Sequence, residues 1–413
     1  MTRRVVITGL GAITPLGTRI DTIWDYLSRG VSGIDMITRF DTAAFDTKIA
    51  GEAREFAPEN YLDKRDIRRT DRFVQFALAA AQDAMDDAHF SVTLANADRV
   101  GVYIGSAFGG LASLEEVHAK LMTQGPHRVS PLFPAIVLGN LASGQVSIRF
   151  GAAGPNNSSS TACAAGAHSI GEALHLIRRD AADVMIAGGT EAVITPLAVS
   201  AFGNMRALST RNDAPQLASR PFDQSRDGFV MSEGAGILIL EELQHARRRG
   251  ATIYAELLGY GSASDAHHIT APCPDGDGAA RCMQNALRDA GISPDAIDYI
   301  NAHATSTQAG DAAESTAIKS VFKARAHTIP VSATKSMTGH LLGASGAVES
   351  IFTVLAMRHG LIPPTINYEQ ADASCDLDYV PNKARPGDVK TAMSNAFGFG
   401  GTNASLVFRT HDG

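Results

Sequence analysis

The chain has 413 residues, of which 45% are hydrophobic and 19% are charged, and its formal net charge is −7. This composition is typical of a folded protein with a large core; it excludes a mainly disordered chain and favours two halves of similar size. The acidic balance argues against nucleic acid as the main partner. No apolar run is long enough to cross a bilayer, so we expect no membrane partner.

The four cysteines, Cys163, Cys273, Cys282 and Cys375, show neither a CxxC pair nor zinc-like spacing. The first residues carry an apolar run that is too short for a secretory signal. We therefore expect free thiols in a reducing compartment, which places the protein in the cytoplasm.

The first half of the chain alternates between strand and helix patterns. Apolar runs predict strands at 5–9 (closed by a turn at Gly11 and Pro15), 99–106, 183–189 and 235–240, and helical periodicity covers 72–89 and the segment from Cys163 onward. The polar segment 200–234 is predicted to form an ordered loop layer over a site.

The second half repeats this order. Strands are predicted at 253–258, 299–303, 329–332 and 389–395, helices at 279–290 and 312–322, a small-residue turn at 334–339, and a helix that His340 opens. Alternation of this kind indicates an α/β fold. We predict two halves, 1–250 and 251–413, related by a pseudo-twofold axis, with Cys163 and His340 facing one another at equivalent helix starts.

Cys163 lies in a run of small residues at 157–167, where no bulky neighbour blocks the thiol. Its position in the first turn of the predicted helix favours a lowered thiol pKa, because backbone N–H groups and the helix dipole stabilise an anion there. A buried structural cysteine is an equal alternative on spacing alone.

Three other stretches concentrate reactive or permissive residues. His303 ends an apolar strand, Lys335 and His340 flank a small turn, and glycines within 395–403 leave backbone N–H groups free to face a ligand. One such histidine is more often a satisfied polar residue than a catalyst. A cysteine, two histidines and an amide-donating loop together suit covalent acyl transfer from a thioester. A helix start disfavours imidazolium, so we expect His340 to stay neutral and to donate from Nε2.

Four ordered motifs carry a resemblance to a known family: Thr161-Ala162-Cys163, Asn301-Ala302-His303, residues 335–340 and residues 398–403. They are similar to the motifs of the β-ketoacyl-acyl-carrier-protein synthases of the thiolase superfamily, most closely the elongating synthase II type, almost end to end. The resemblance implies a thiolase-like fold of five layers, α-β-α-β-α, built from duplicated halves. It also implies decarboxylative Claisen condensation of an acyl-enzyme with malonyl-acyl-carrier protein, which elongates a fatty acid or a related chain.

The resemblance also assigns roles. Cys163 would take the acyl chain, with an oxyanion hole formed by its own N–H group and that of Phe399. His303 and His340 would bind the malonyl thioester, supported by Lys335. The other implied sites are substrate contacts at Phe108, Phe202, Thr305, Thr307 and Phe397, carrier-protein docking at Arg65, Arg68, Arg69 and Arg206, and a monovalent cation near Asn301, Glu349, Ser394 and Asn395. No other cofactor is required, and a homodimer is expected.

The basic run that contains three of the candidate docking arginines has two interpretations. On charge pattern alone, the basic run at 64–69 is most simply a solvated surface. The resemblance makes it a candidate for binding an acidic carrier protein, where the charges would chiefly raise the association rate.

The chain departs from the family pattern at three positions. Ala304 stands where glycine is usual and Gln308 where proline is usual, so we expect a slightly different pantetheine loop, at a cost of about 1 kcal/mol if residue 304 needs a positive φ. Phe108 stands where a smaller aliphatic group is common, at the far end of the partner subunit's acyl tunnel. Its ring is expected to shorten that tunnel and to favour short or medium acyl chains.

Three rival functions explain these residues less completely. A thiolase needs a second cysteine in the C-terminal glycine-rich loop, and here the nearest late cysteine, Cys375, lies elsewhere. A cysteine hydrolase leaves the second histidine and the 334–340 turn unexplained. A structural partner subunit of the chain-length-factor type lacks the nucleophile, whereas Cys163 is present.

Overall fold

The computed structural model describes residues 3–411; residues 1–2 and 412–413, at the ends of the two predicted halves, lie outside the described residues. The strands are β1 (Val5–Ile13), β2 (Asp35–Met36), β3 (Ile49–Ala50), β4 (Val100–Gly105), β5 (Asn156–Asn157), β6 (Val184–Glu191), β7 (Gly234–Glu242), β8 (Ala255–Ser264), β9 (Tyr299–Asn301), β10 (Val331–Ser332), β11 (Leu361–Ile362), β12 (Arg385–Pro386), β13 (Thr391–Gly398) and β14 (Thr402–Arg409).

The α-helices are α1 (Ile20–Arg29), α2 (Lys64–Ile67), α3 (Arg72–Asp87), α4 (Leu111–Gln124), α5 (Phe133–Val137), α6 (Leu141–Phe150), α7 (Ala165–Arg178), α8 (Pro196–Asn204), α9 (Leu243–Arg248), α10 (Asp277–Ala290), α11 (Gln308–Phe322), α12 (Lys335–Thr338) and α13 (Ser345–His359). Two short 3-10 turns, Ala162–Ala164 and Leu342–Ala344, lead into α7 and α13.

Within the described residues, ten strands form one sheet in the order β10-β9-β13-β14-β8-β1-β7-β6-β4-β5. β1 and β8 pair in antiparallel fashion at its centre. From β1 outward, the first arm adds β7 and β6 by antiparallel pairing and then β4 and β5 by parallel pairing. From β8 outward, the second arm adds β14 and β13 by antiparallel pairing and then β9 and β10 by parallel pairing. This matching order is the predicted pseudo-twofold relation.

The helices form three layers around the two arms of the sheet. α7 and α13 lie between the arms, contact each other and contact strands of both arms. α3 covers the outer face of the first arm, and α10 covers that of the second. Apolar side chains of the two inner helices, such as Ile170, Leu174 and Ile351, are buried in the core between the arms. The layers therefore follow the order α-β-α-β-α that the resemblance implies.

β1 runs further than predicted, to Ile13, and all nine of its residues are buried. The turn predicted at Gly11 is wrong because the glycines of β1 permit close packing instead of a bend. A Cβ on Gly9 would lie 2.2 Å from the carbonyl oxygen of Ala84, and one on Gly11 would lie 2.0 Å from that of Ala80. The glycines of the strand therefore let α3 approach the sheet at backbone distance.

Most predicted elements are found at their positions, and the differences lie at their ends. The helices predicted to begin at Cys163 and His340 begin at Ala165 and Ser345 instead, because a 3-10 turn precedes each. The predicted loop layer at 200–234 starts inside α8, and the turn predicted at 334–339 contains α12.

The boundary predicted between residues 250 and 251 lies in the connection from α9 to β8, and it stays a prediction. None of the helices in residues 3–411 combines the length and the apolar character that a bilayer span requires.

Candidate active site

Cys163 lies in the 3-10 turn between β5 and α7. The residue before it, Ala162, has a φ of 47°, a left-handed conformation that residues with a Cβ atom rarely adopt. Cys163 is only 8% exposed, yet it lines a cavity. The turn therefore holds the sulfur at the start of the helix, away from bulk water and facing an enclosed space.

Burial raises the pKa of the Cys163 thiol to about 11. Lys335 and the backbone N–H groups of Phe399 and of Cys163 itself act in the opposite direction. The prediction of a lowered thiol pKa is therefore wrong: the sulfur precedes α7, and its loss of hydration outweighs the nearby positive groups. The resting thiol is protonated at neutral pH.

His303 follows β9 and His340 follows α12, and their imidazole rings are 5.3 Å apart and nearly perpendicular. Burial lowers the pKa of each ring well below its ordinary value, and the positive charge of Lys335 lowers both further. Both rings are therefore neutral at neutral pH, as predicted for His340. The cause differs from the prediction, because His340 lies before the 3-10 turn and not at the helix start.

Lys335 sets the proton position on one of these rings. Its Nζ lies 3.4 Å from Nδ1 of His303 and 2.5 Å from Oε1 of Glu349, and the ion pair is buried. Because an ammonium group can only donate, Nδ1 of His303 accepts and the ring proton is on Nε2. Oγ of Ser345 lies 2.9 Å from Nδ1 of His340, and a hydroxyl that donates there gives the same tautomer.

Glu314 is a site residue that the sequence reasoning missed. Its carboxylate accepts from the N–H groups of His303 (2.9 Å) and Ala304 (2.7 Å) and from Nδ2 of Asn395 (3.1 Å). These bonds fix the backbone turn that carries the His303 ring. The available signal was a carboxylate on a helix face that also carries apolar residues such as Ala317 and Ile318.

A cavity of about 310 Å³ brings the predicted catalytic residues together. The predicted residues that line it are Cys163, Phe202, Arg206, His303, Thr305, Thr307, His340, Phe397 and Phe399. The hydroxyls of the two threonines are 3.1 Å apart and hydrogen-bonded. Lys335 lies behind His303 instead of in the wall. The cavity therefore places one thiol and two neutral imidazoles around a common space.

A second cavity, of about 360 Å³, also reaches Cys163, and Phe108 lines it. Phe202 lies at the centre of an aromatic group here, with ring centroids 6.1 Å from Phe108, 5.4 Å from Phe229 and 6.2 Å from Phe399. Phe108 thus lines the pocket of its own chain's nucleophile, and the loop after β4 that carries it is hydrogen-bonded to the end of β6. Its expected place at the far end of the partner subunit's acyl tunnel stays a prediction.

Comparison with known proteins decides the family. Sequence models described as "Beta-ketoacyl synthase, N-terminal domain" and "Beta-ketoacyl synthase, C-terminal domain" match residues 2–246 and 254–369. The chain belongs to the β-ketoacyl synthase family. This synthase is 53% identical to 3-oxoacyl-[acyl-carrier-protein] synthase 2 of Coxiella burnetii and 52% identical to that of Staphylococcus aureus, over 98% of each chain in both cases.

Solved structures match the synthase over its whole length. A beta-ketoacyl synthase from Burkholderia phymatum is 37% identical, with a TM-score of 0.92, over 99% of this chain and 100% of that one. A type II PKS acyl-carrier protein complex with its ketosynthase bound to the hexaketide matches with a TM-score of 0.92 and 38% identity, over 100% of both chains. The predicted family and fold class are confirmed.

The four candidate docking arginines of the synthase are exposed. Arg206 lies at the wall of the first cavity. α2 ends at Ile67, so the predicted helical face shared by Arg65, Arg68 and Arg69 is wrong in part: the last two follow the helix. The short helix is capped by Asp63, whose side chain accepts from two backbone N–H groups.

Two of the residues predicted near a monovalent cation carry oxygens that suit one. Oδ1 of Asn301 and Oε2 of Glu349 are buried and have no hydrogen-bond partner within the described residues. Ser394 pairs with Asn301 in the register of β13 and β9. The Asn395 side chain already contacts Glu314 and Ser405. One neutral and one acidic oxygen without partners fit a hard monovalent cation.

The departures from the family pattern cause no strain at the predicted position. Ala304 does not have a positive φ, so the cost of about 1 kcal/mol expected there for alanine is absent. Ser306 takes the left-handed conformation instead, with a φ of 72°. Gln308 is the first residue of α11, a position where proline also fits.

Proposed function

We propose that this chain condenses a Cys163-bound acyl group with a malonyl thioester on acyl carrier protein, with loss of CO₂, and so elongates an acyl chain by a β-ketoacyl unit. The observation that carries the proposal is the single cavity lined by a protonated thiol and two neutral imidazoles. The relatives named 3-oxoacyl-[acyl-carrier-protein] synthase 2 support the same chemistry.

In the first half-reaction, the sulfur of Cys163 attacks the carbonyl carbon of an acyl-carrier thioester. A new C–S bond forms, the bond to the carrier's sulfur breaks, and the thiol proton ends on the departing sulfur. Because the pKa of the thiol is about 11, the proton leaves only as the sulfur attacks and passes to the departing sulfur, while the two imidazoles, whose Nε2 atoms already carry protons, act as donors. The N–H groups of Cys163 and Phe399 stabilise the tetrahedral oxyanion.

In the second half-reaction, His303 and His340 donate from Nε2 to the malonyl thioester oxygen. The bond to the carboxylate breaks, CO₂ leaves, and the electron pair forms an enolate. The enolate carbon attacks the acyl carbonyl, the C–S bond to Cys163 breaks, and the thiolate takes one proton from solvent. Neutral donors suit this step, because an imidazolium would protonate the enolate before it attacks.

Lys335 and Glu349 support the two histidines without touching the reacting atoms. Lys335 keeps the proton of His303 on Nε2, where the substrate needs it. Burial raises the pKa of Glu349 to about 7, and the charge of Lys335 opposes that rise. A monovalent cation held by the oxygens of Asn301 and Glu349, near Ser394 and Asn395, would supply further positive charge that keeps the carboxyl ionised.

The two cavities divide the substrate between them. Thr305 and Thr307 would hydrogen-bond the pantetheine arm, beside Phe397, in the first. The acyl chain would enter the second, where the rings of Phe108 and Phe202 limit its length to short or medium chains. Arg65, Arg68, Arg69 and Arg206 would dock the acidic carrier protein. We further propose that the synthase acts as a homodimer in the cytoplasm.

The test is an elongation assay with malonyl-carrier protein and acyl-carrier primers from acetyl to palmitoyl, with products identified by mass spectrometry. We expect each short or medium primer to gain one β-ketoacyl unit, and Phe108→Ala to extend the range to longer primers. Acylation of Cys163 without any elongation would contradict the proposal. Equal use of long primers by wild type and Phe108→Ala would contradict only the length limit.

A further inference from the structure

Glu191 is a fully buried carboxylate at the end of β6 that the proposed reaction does not use. Its Oε2 accepts from the N–H groups of Ala107 (2.7 Å) and Gly343 (3.0 Å). Its Oε1 accepts from Oγ of Ser106 (3.1 Å) and from the N–H group of Phe108 (3.3 Å). One side chain thus joins the loop after β4 to the turn that follows His340.

This link is built around a carboxylate and a glycine. Burying a carboxylate is costly unless its oxygens are hydrogen-bonded, and four donors surround this one. Burial raises the pKa of Glu191 to about 7, and the N–H groups of Ala107, Phe108 and Gly343 act against the rise. A Cβ at Gly343 would lie 2.5 Å from the nitrogen of Ala107 and 2.6 Å from Oε2 of Glu191. Any side chain at 343 would therefore push the two loops apart.

Both joined segments form walls of the acyl pocket. Phe108 lines the second cavity and packs edge-to-face on Phe202. Leu342, the residue before Gly343, lines both cavities. Phe229, which contacts Phe202, also packs edge-to-face on the ring of His340. The loop after β4, which carries Phe108 and is called the Phe108 loop below, is therefore connected through these contacts to the turn that follows His340.

We propose that Glu191 is a positioning residue that sets the depth of the acyl pocket, because it fixes the Phe108 loop to the turn after His340. The assignment rests on the proposed function, since it supposes that the second cavity holds the acyl chain. Loosening this link lets the Phe108 ring move away from Phe202, and longer chains then fit.

Glu191→Gln separates this role from a general effect on folding. A glutamine keeps one acceptor, which can retain the N–H groups of Ala107 and Gly343. Its NH₂ group then faces Oγ of Ser106, which can accept, and the N–H group of Phe108, which cannot. The variant therefore loses mainly the bond to the N–H group of Phe108 and keeps those to Ser106, Ala107 and Gly343.

The experiment measures acylation of Cys163 by hexanoyl- and palmitoyl-carrier protein, followed by intact-protein mass spectrometry. We expect the palmitoyl to hexanoyl rate ratio to rise about tenfold in Glu191→Gln, the equivalent of about 1.4 kcal/mol. Phe108→Ala should give a similar rise, and the double variant should add nothing to it, because both changes release the same ring. Should Glu191→Gln not fold, Ser106→Ala, which removes one of the four donors, is expected to shift the ratio in the same direction by a smaller factor.

Glu241→Gln is the matched control, since Glu241 is an equally buried carboxylate on β7 that bonds Thr8, His245 and Arg249 instead of the pocket loops. It should leave the length ratio unchanged. A ratio in Glu191→Gln within twofold of wild type, or fully additive effects in the double variant, would overturn the assignment. Acylation of Cys163 does not require condensation, so the rate ratio tests the role of Glu191 even in a protein that does not condense. A protein that is acylated but does not condense would contradict the proposed function alone.

Discussion

Two turns of the molecule share one backbone conformation and serve different purposes. One leads into α7 and the other into α13, and they begin at Ala162 and Leu342, whose φ values are 47° and 48°. Cys163 directly follows Ala162, and Gly343 directly follows Leu342, so the two residues occupy equivalent positions in the two turns. The first turn uses this position for the nucleophile, whereas the second uses it for a glycine whose N–H group binds Glu191. The duplicated backbone thus supplies chemistry in one half and support in the other.

The helices after the two turns pack on each other through equivalent small residues. A Cβ on Gly166 would lie 3.1 Å from Cβ of Ala347, and a Cβ on Gly346 would lie 2.7 Å from Cβ of Ala167. Each contact is the counterpart of the other, so α7 and α13 meet at the pseudo-twofold axis. Close packing there leaves no room for side chains, which keeps both turns in fixed positions.

The predicted equivalence of Cys163 and His340 is wrong for a reason that this comparison makes clear. His340 lies before its turn, on a segment held by backbone bonds: its N–H group donates to Val230 (2.8 Å), and its carbonyl accepts from Ser232 (2.9 Å). Helical periodicity does not distinguish a helix from the turn in front of it. The two halves do converge on one cavity, but from non-equivalent positions.

The largest expected effect is at the first turn. Cys163→Ala removes the only sulfur at that turn, so condensation should fall on the order of 10⁴-fold or more, while the free energy of unfolding changes little. The elongation assay and urea denaturation measure both. Cys282→Ala is the control: this thiol is buried under β8, where its Sγ donates to the carbonyl of Gly261, and its loss should affect stability more than activity. Elongation that survives in Cys163→Ala would refute the assignment of the nucleophile.

The pH dependence of Cys163 alkylation tests whether burial or the N–H groups of the turn have the larger effect on the pKa of the thiol. With a pKa of about 11, the thiolate fraction should rise about tenfold per pH unit between pH 7 and pH 10. The rate of iodoacetamide alkylation, followed by peptide mass spectrometry, should rise in parallel and show no plateau. Glutathione, whose thiol titrates lower, should level off first. A plateau in the Cys163 alkylation rate below pH 8 would mean that the N–H groups and Lys335 lower the pKa of the thiol by more than burial raises it.

The second turn should be the more sensitive of the two to added volume. Gly343→Ala places a Cβ 2.5 Å from a backbone nitrogen, and overpacking of this kind costs about 1–3 kcal/mol. Gly144→Ala is the control, because its Cβ would meet only Leu141 at 3.9 Å and α6 gains a better helix former. Chemical denaturation should show a loss for the first and a small gain for the second. Equal stabilities would show that the loops move apart at no cost.

Sequence reasoning succeeded where a pattern is local and repeated. Apolar runs and helical periodicity predicted the strands and the inner helices, and ordered motifs predicted the family and a cavity that holds Cys163, His303 and His340. It failed where the outcome depends on burial, as the pKa of the Cys163 thiol shows. It also missed Glu191 and Glu314, because a single acidic residue carries no sign of which distant N–H groups it will bind.

The smallest expected effect separates backbone strain from side-chain burial in the two turns. Glycine at 162 would relieve a left-handed strain of about 1–2 kcal/mol, but it adds freedom to the unfolded chain that costs about 0.5–1 kcal/mol. Ala162→Gly should therefore stabilise the protein by about 0–1.5 kcal/mol. Leu342 has the same φ but is only 2% exposed, and Leu342→Gly should cost about 2–4 kcal/mol for the lost side chain. Urea denaturation with a common slope compares the pair. If both substitutions stabilise, strain governs both turns and the packing of Leu342 contributes little; if both destabilise equally, Ala162 is packed as tightly as its counterpart. The two effects are expected to differ in sign, although the backbone conformation is the same, because Leu342→Gly removes a large buried side chain whereas Ala162→Gly removes a single methyl group.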